Sequence, residues 1–313
     1  MLTKAKPPAQ AQHADQLLTA AEHAMRRAFR QFIDNAREID VESLLESGGI
    51  DAVLDALELP IQRFAANWQH VFVEVGNREA NSLELSKARR KKPTVTGVFQ
   101  PGDPEAARLM EQNSLNLVTN LTNEQRKVVR NALVQGLREG LGTRDLAELF
   151  RSTIGLTEQQ QRSLATFARA QRQARVEELR AGEEFVSTDK QIQRLVQRHA
   201  RQLQQARAET VARTESLKIT TLAREQALRQ SARAVGQSEQ FIGVEWVAAL
   251  DSRTREAHRE RNGARRRLGE DFAPGISKPG EGDPAEVINC RCQLVYEMFD
   301  TEEALQQWLA GGS

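Results

Sequence analysis

The chain has little of what marks a secreted, membrane-spanning or catalytic protein. Two cysteines in 313 residues are too few for a disulfide framework. A bond between Cys290 and Cys292 would close a very small, strained ring. No apolar run approaches the roughly 18 residues of a membrane span, so no membrane partner is expected. The opening MLTKAKPPAQAQ has no apolar stretch, which excludes a visible secretory signal and points to a reducing cytoplasm. Aromatics make up 5% and hydrophobic residues 39%, thin for one large compact core. Neither sign of charge dominates, with 44 Lys+Arg against 43 Asp+Glu. That balance argues against a dedicated nucleic-acid coat and leaves local patches open. There is no phosphate-cradling Gly loop, no G-x-S-x-G and no H-E-x-x-H, so no catalytic residues are assigned and a non-enzyme is expected.

What is present is mostly helical patterning. The expected organisation is 1–12 disordered, 13–86 a helical arm, 87–104 a linker, 105–185 a helical region, 186–300 a compact module and 301–313 a terminal helix and tail. Leu18, Ala21, Met25, Phe29 and Phe32 share one helix face,. Leu44 to Leu57 continue the pattern until Pro60 stops it, and Phe64, Trp68 and Val71 point inward from the next helix. The stretch 87–104, KARRKKPTVTGVFQPGDP, reads as a solvated linker or a basic arm touching nucleic acid,. Thr122/Gln125, Thr157/Gln160 and Thr188/Gln191 have capping-box spacing. Gly140 and Gly142 can end one helix and Thr143 cap the next. Residues 158–182 carry few apolar anchors, so that helix faces solvent or an absent partner. Residues 188–234 read as one or two long helices.

After Gly236 the style changes. Residues 241–247 and 290–299 read as strands, with a short helix near 253–262 and a last helix capped by Thr301. The fold class expected is a mainly α N-terminal arm followed by a small α+β C-terminal module with a short antiparallel sheet.

The chemistry concentrates in that module. With 251–262 helical, Asp251, Arg255 and His258 fall on one face, and Cys290 and Cys292 at i, i+2 on a strand face one side. His258, Cys290 and Cys292 are then candidate zinc ligands. Asp251, Glu286, another polar residue or water would be the fourth, and the clip would close the Gly/Pro-rich stretch 273–284. The alternative is two buried, inert thiols beside a hydrogen-bonded histidine. Between 253 and 267 seven arginines meet two glutamates. This is an exposed helix with internal Glu–Arg pairing, or a phosphate-binding patch built on Arg253, Arg255, Arg265, Arg266 and Arg267.

An ordered set of motifs resembles the phage Mu F-like, or head-morphogenesis, minor capsid proteins of tailed bacteriophages. Ala212-Arg213-Thr214-Glu215 resembles the family's A-R-T-E helix. Trp246, the run from Asp251 to Arg255, His258 and Gly263 resemble its W…D-x-R-x-R-x-x-H…G segment. Pro279-Gly280, Pro284 and Asn289-Cys290-Arg291-Cys292 resemble its closing P-G…P…N-C-R-C. The resemblance covers about residues 115–298 and is most specific over 207–298. Many members carry C-x-x-C where Arg255 and His258 stand here, so a His/Cys/Cys set is what remains. The resemblance implies a low-copy virion protein, made in a host bacterium's cytoplasm and lying inside the head near the portal. It implies a role in head assembly and in genome packaging or ejection. The implied partners are the portal protein, the major capsid or scaffold protein and double-stranded DNA. The competing reading is a metal-dependent nucleic-acid hydrolase built on His258, Cys290 and Cys292.

Overall fold

A computed structural model describes residues 9–85, 95–182 and 186–311. The element order is α1 (Ala9–Arg37), α2 (Val41–Asp55), α3 (Glu58–Ser82), β1 (Glu84–Leu85), β2 (Val95–Thr96), α4 (Pro104–Arg138), α5 (Thr143–Thr153), α6 (Glu158–Ala181), α7 (Asp189–Ala234), β3 (Ile242–Val247), α8 (Glu256–Glu260), β4 (Arg265–Arg267), α9 (Pro284–Val287), β5 (Gln293–Met298) and α10 (Glu302–Ala310). This is the expected helical chain ending in a small antiparallel sheet. Among the described residues no helix is long and apolar enough to cross a membrane.

The contacts divide the chain into two compact units, each assembled from separated stretches. One comprises Arg27–Ala66 and Ser114–Glu209. The other comprises Met1–Arg26, Asn67–Asn113 and Thr210–Ser313.

Among its described residues the first unit has helices and connecting loops and no strand. Phe29 and Phe64 meet edge to face, with ring centroids 5.5 Å apart. Leu54, Val129, Leu146, Phe150 and Ile154 are fully buried. Two capping expectations change here. Thr122 does not open a helix, because α4 runs unbroken through it. Gln125 instead turns inward, its amide donating to the Leu156 carbonyl at 3.0 Å and accepting from the Gly155 N–H at 2.7 Å. Thr143 is the first residue of α5 and Gly142 takes the cap position. The box at Thr157/Gln160 is formed, and Thr188/Gln191 exchange the same pair of bonds. Pro60 sits in the first turn of α3, where its missing N–H costs nothing. The preceding helix has already ended at Asp55. Helix α6 buries one residue, Leu164, as its composition suggests.

The second unit carries the sheet, in strand order β4-β3-β5. Val244 pairs with Tyr296 on one side and with Arg266 on the other, both antiparallel. The two-residue side-chain period of a strand sorts β3 cleanly. Ile242, Val244 and Trp246 join a core with Leu217, Leu228 and Ala232 of α7 and Leu18 of α1. Gly243 faces the other way, where a Cβ would lie 2.5 Å from the Trp308 ring of α10. Arg224 of α7 is 1% exposed. Its Nε lies 3.1 Å from the Glu79 carboxylate, it donates to the Leu294 carbonyl at 3.0 Å, and its guanidinium stacks over Tyr296.

Four further expectations are corrected. Residues 9–12, expected to be disordered, are the first turn of α1. Cys290 and Cys292 precede β5 rather than lying on it. The helix near 253–262 shortens to α8, so Asp251 and Arg255 lie ahead of it instead of sharing its face with His258. Arg265–Arg267 form an edge strand not read from the sequence. Residues 1–8 of the expected disordered start, the basic half of the 87–104 linker and the last two residues of the tail lie outside the described residues.

Candidate metal centre

His258 is carried by a one-turn helix whose start is fixed by a side-chain turn. The Asp251 carboxylate accepts from the Arg253 N–H at 2.9 Å and the Thr254 hydroxyl at 3.0 Å, while Leu250 adopts a φ of 52°. Burial raises the Asp251 carboxyl, but these bonds outweigh it and hold the group below its usual range. The cysteines follow α9. Asp283 caps that helix by accepting from the Glu286 N–H at 3.1 Å, and Asn289 turns the chain with a φ of 58°. Asparagine tolerates the left-handed region better than most residues.

The two loops bring three donors together. His258 Nδ1 lies 3.4 Å from Cys290 Sγ and 3.3 Å from Cys292 Sγ. All three ligand atoms fall within 4.8 Å of one another, and all three residues are buried. A tetrahedral zinc with bonds of about 2.05 Å to nitrogen and 2.3 Å to sulfur sets its nitrogen and sulfur ligands about 3.6 Å apart. The observed spacing needs only a slight opening to admit the ion.

The groups behind these donors suit a metal as well. His258 Nε2 meets the Glu286 carboxylate at 2.8 Å. A carboxylate accepting there holds the proton on Nε2 and leaves the Nδ1 lone pair facing the sulfurs. Glu286 is in turn gripped through both oxygens by Arg261, at 2.7 and 3.3 Å. The Arg261 bond, ahead of that from His258, keeps its carboxyl low despite partial burial. Trp246 stands edge-on to the imidazole at 5.9 Å, and Arg261 covers the indole. The Cys290 thiol is pushed down to about 6, chiefly by its bond with Cys292. Cys292 is pushed up by the same bond and by burial. A divalent ion would deprotonate both.

Glu286, a fourth-ligand candidate from sequence, therefore stands behind the imidazole, while Asp251, the other candidate, gives Oδ1 to its turn and does not join the three donors. Neither is placed as a free base, and these residues do not favour the hydrolase reading. The stretch 273–284 is held by its own contacts: Lys278 reaches Glu225 at 2.6 Å and Ser277 bonds Glu281.

The arginines separate into two groups. Arg265 bonds Glu245 at 2.8 Å and lies over Trp308. Arg266 reaches the Asp271 carbonyl and the Phe272 ring. Arg267 pairs with Glu302. Arg255 donates to the carbonyls of Glu286 and Ile288, whereas Arg253 is exposed. Of the motif residues, Arg213 approaches Glu22 at 3.4 Å, Glu215 accepts from the Trp68 indole at 3.2 Å, and Arg291 pairs with Asp15. The roles of Arg261 and of the Glu286–His258 bond have no local sequence signal, because they join residues 25 and 28 positions apart.

The family described as Phage Mu protein F like protein matches residues 172–295. The minor head protein GP7 of Bacillus phage SPP1 is 36% identical over 90 residues, covering 27% of this chain. That match spans only 28% of the relative's own length. No solved structure shows significant similarity to the chain. The matched stretch contains Trp246, His258, Glu286 and both cysteines, and over it this chain is similar to the phage Mu F-like family of head proteins.

Proposed function

We propose that this chain is a minor, non-enzymatic protein of a bacteriophage head. It sits inside the virion beside the portal and acts in head assembly and in packaging or ejection of the genome. The family match over residues 172–295 carries this reading. The helical surface supports it, because Leu115, Leu137 and Leu179 are each more than half exposed. Apolar side chains at such positions suit burial against a larger assembly of portal, major capsid or scaffold protein.

The Mu F-like module is held by a zinc ion on His258, Cys290 and Cys292. The donor set supports this: buried nitrogen and sulfur at zinc spacing, with a carboxylate backing the imidazole,. The ion supplies a structural clip between the α8 and α9 loops. Contact with double-stranded DNA is the remaining part of the proposal. At Arg265, Arg266 and Arg267 a phosphate competes with internal partners, and Arg253 and Arg255 are closer to the clip.

The test is a head-assembly experiment with the gene deleted and then restored. Restored heads are expected to contain the protein at low copy and to release it together with portal on mild dissociation. Heads of normal yield, infectivity and composition without it would refute the reading. Elemental analysis of the purified protein is expected to give one zinc per chain.

A further inference from the structure

Among the described residues the clip leaves one corner of a zinc tetrahedron without a protein ligand,. Neither nearby carboxylate belongs to the group of donor atoms within 4.8 Å of one another: Asp251 gives Oδ1 to its turn, and Glu286 meets Nε2 of His258 and Arg261. The three ligand residues line a cleft of about 330 Å³. Its walls carry Arg213, Arg253, Arg255 and Arg291, against the single carboxylate of Asp251. A divalent ion bound by two thiolates and a neutral imidazole adds no net charge, so the four guanidiniums still outnumber the carboxylates around the cleft. Arg213, Arg253 and Arg291 are only lightly held. The Arg291–Asp15 pair is solvent-exposed and of a kind that contributes little. Arg213 meets Glu22 at a long 3.4 Å. Arg253 is exposed.

We propose that this cleft is a phosphate site: the oxyanion is held by Arg213, Arg253 and Arg291, and one of its oxygens fills the open corner of the metal. Arg255 is a positioning residue, since its two terminal nitrogens hold the backbone of residues 286 and 288. Planar guanidinium forks match phosphate oxygens in pairs, which a bound water or chloride cannot exploit. The inference rests on the zinc reading above. It shifts anion recognition from the triple arginine of β4 to the mouth of the clip.

The test uses the full-length protein with Co²⁺ in place of zinc. Cobalt reports its ligands by ligand-field bands and its thiolates by sulfur-to-metal charge transfer. Inorganic phosphate, titrated at constant ionic strength, is expected to move the ligand-field bands saturably and leave the charge-transfer band in place. Arg253→Ala and Arg291→Ala are each expected to weaken that binding roughly tenfold, the worth of a charge-assisted hydrogen bond, with Lys replacements weakening it less. A short DNA duplex producing the same spectral change identifies a nucleic-acid phosphate as the source. A response to inorganic phosphate alone identifies a free phosphate. Bands unmoved by phosphate, or arginine variants that bind like the native protein, overturn the site while leaving the clip intact. A preparation without the charge-transfer band overturns the clip and the site together.

Discussion

Gln125 lies three residues after Thr122 and has the spacing of a capping partner, yet its amide closes the buried loop after α5. Gly155 there has a φ of 80°, and a Cβ would approach the Ile33 side chain to 2.7 Å. Gln125→Ala is expected to leave the Gly155 N–H and the Leu156 carbonyl unpaired in the core. It should lower unfolding stability by about 2–4 kcal/mol, two buried groups at their desolvation cost, as read by urea denaturation. A loss below the error of that measurement would contradict the assignment. Tyr296, the single tyrosine of the chain, supplies a second prediction. Burial raises its phenol above the ordinary range, with Arg224 opposing. The unfolded chain releases the proton near pH 10 while the folded one retains it. This group's contribution is therefore complete below pH ~10 and lost as pH rises through the higher folded value. The phenolate absorbance should accordingly appear only as the protein unfolds. Titration near pH 10 with the fold intact would show that the ring is wet.

At the scale of elements, the buried Arg224–Glu79 pair joins α7, α3 and β5. Removing one member of such a pair strands the other charge, at a cost of about 3–5 kcal/mol. Arg224→Met is therefore expected to destabilise by that order in a thermal melt, and adding Glu79→Gln should recover part of the loss. Additive losses would indicate that the two side chains do not interact. Strand β4 illustrates a different point. Three consecutive arginines have no strand signature, and the local chemistry suggests phosphate contact. The register places Arg265 opposite Glu245 and beside Trp308, and a charged edge strand also discourages pairing with other chains. Arg265→Ala is expected to loosen α10, seen as faster amide exchange over residues 302–310, with β3 unaffected.

For the molecule as a whole, a metal held by His258, Cys290 and Cys292 would link the α8 and α9 loops to the core beneath β3 and β5. Stripping it with a chelator should lower the melting temperature by several degrees, because an ion bound by the folded state alone stabilises it. The Cys290→Ser/Cys292→Ser variant should melt at the stripped temperature with or without zinc. Identical melts for the loaded and stripped native protein would remove the clip. The helical character, the late sheet, the lone Cys pair and the order of the motifs were all legible along the chain. Periodicity and residue type are local properties, and the His258, Cys290 and Cys292 set could be named from chemistry alone. The strand content of β4, the inward turn of Gln125, the internal pairing of the arginines and the position of Glu286 behind the imidazole could not. Most depend on partners some twenty to forty residues away, and nothing in local spacing encodes which distant side chain arrives. Sequence determined which donors exist in this protein. Only the tertiary structure decided which of them face a common point and which are consumed holding the others in place.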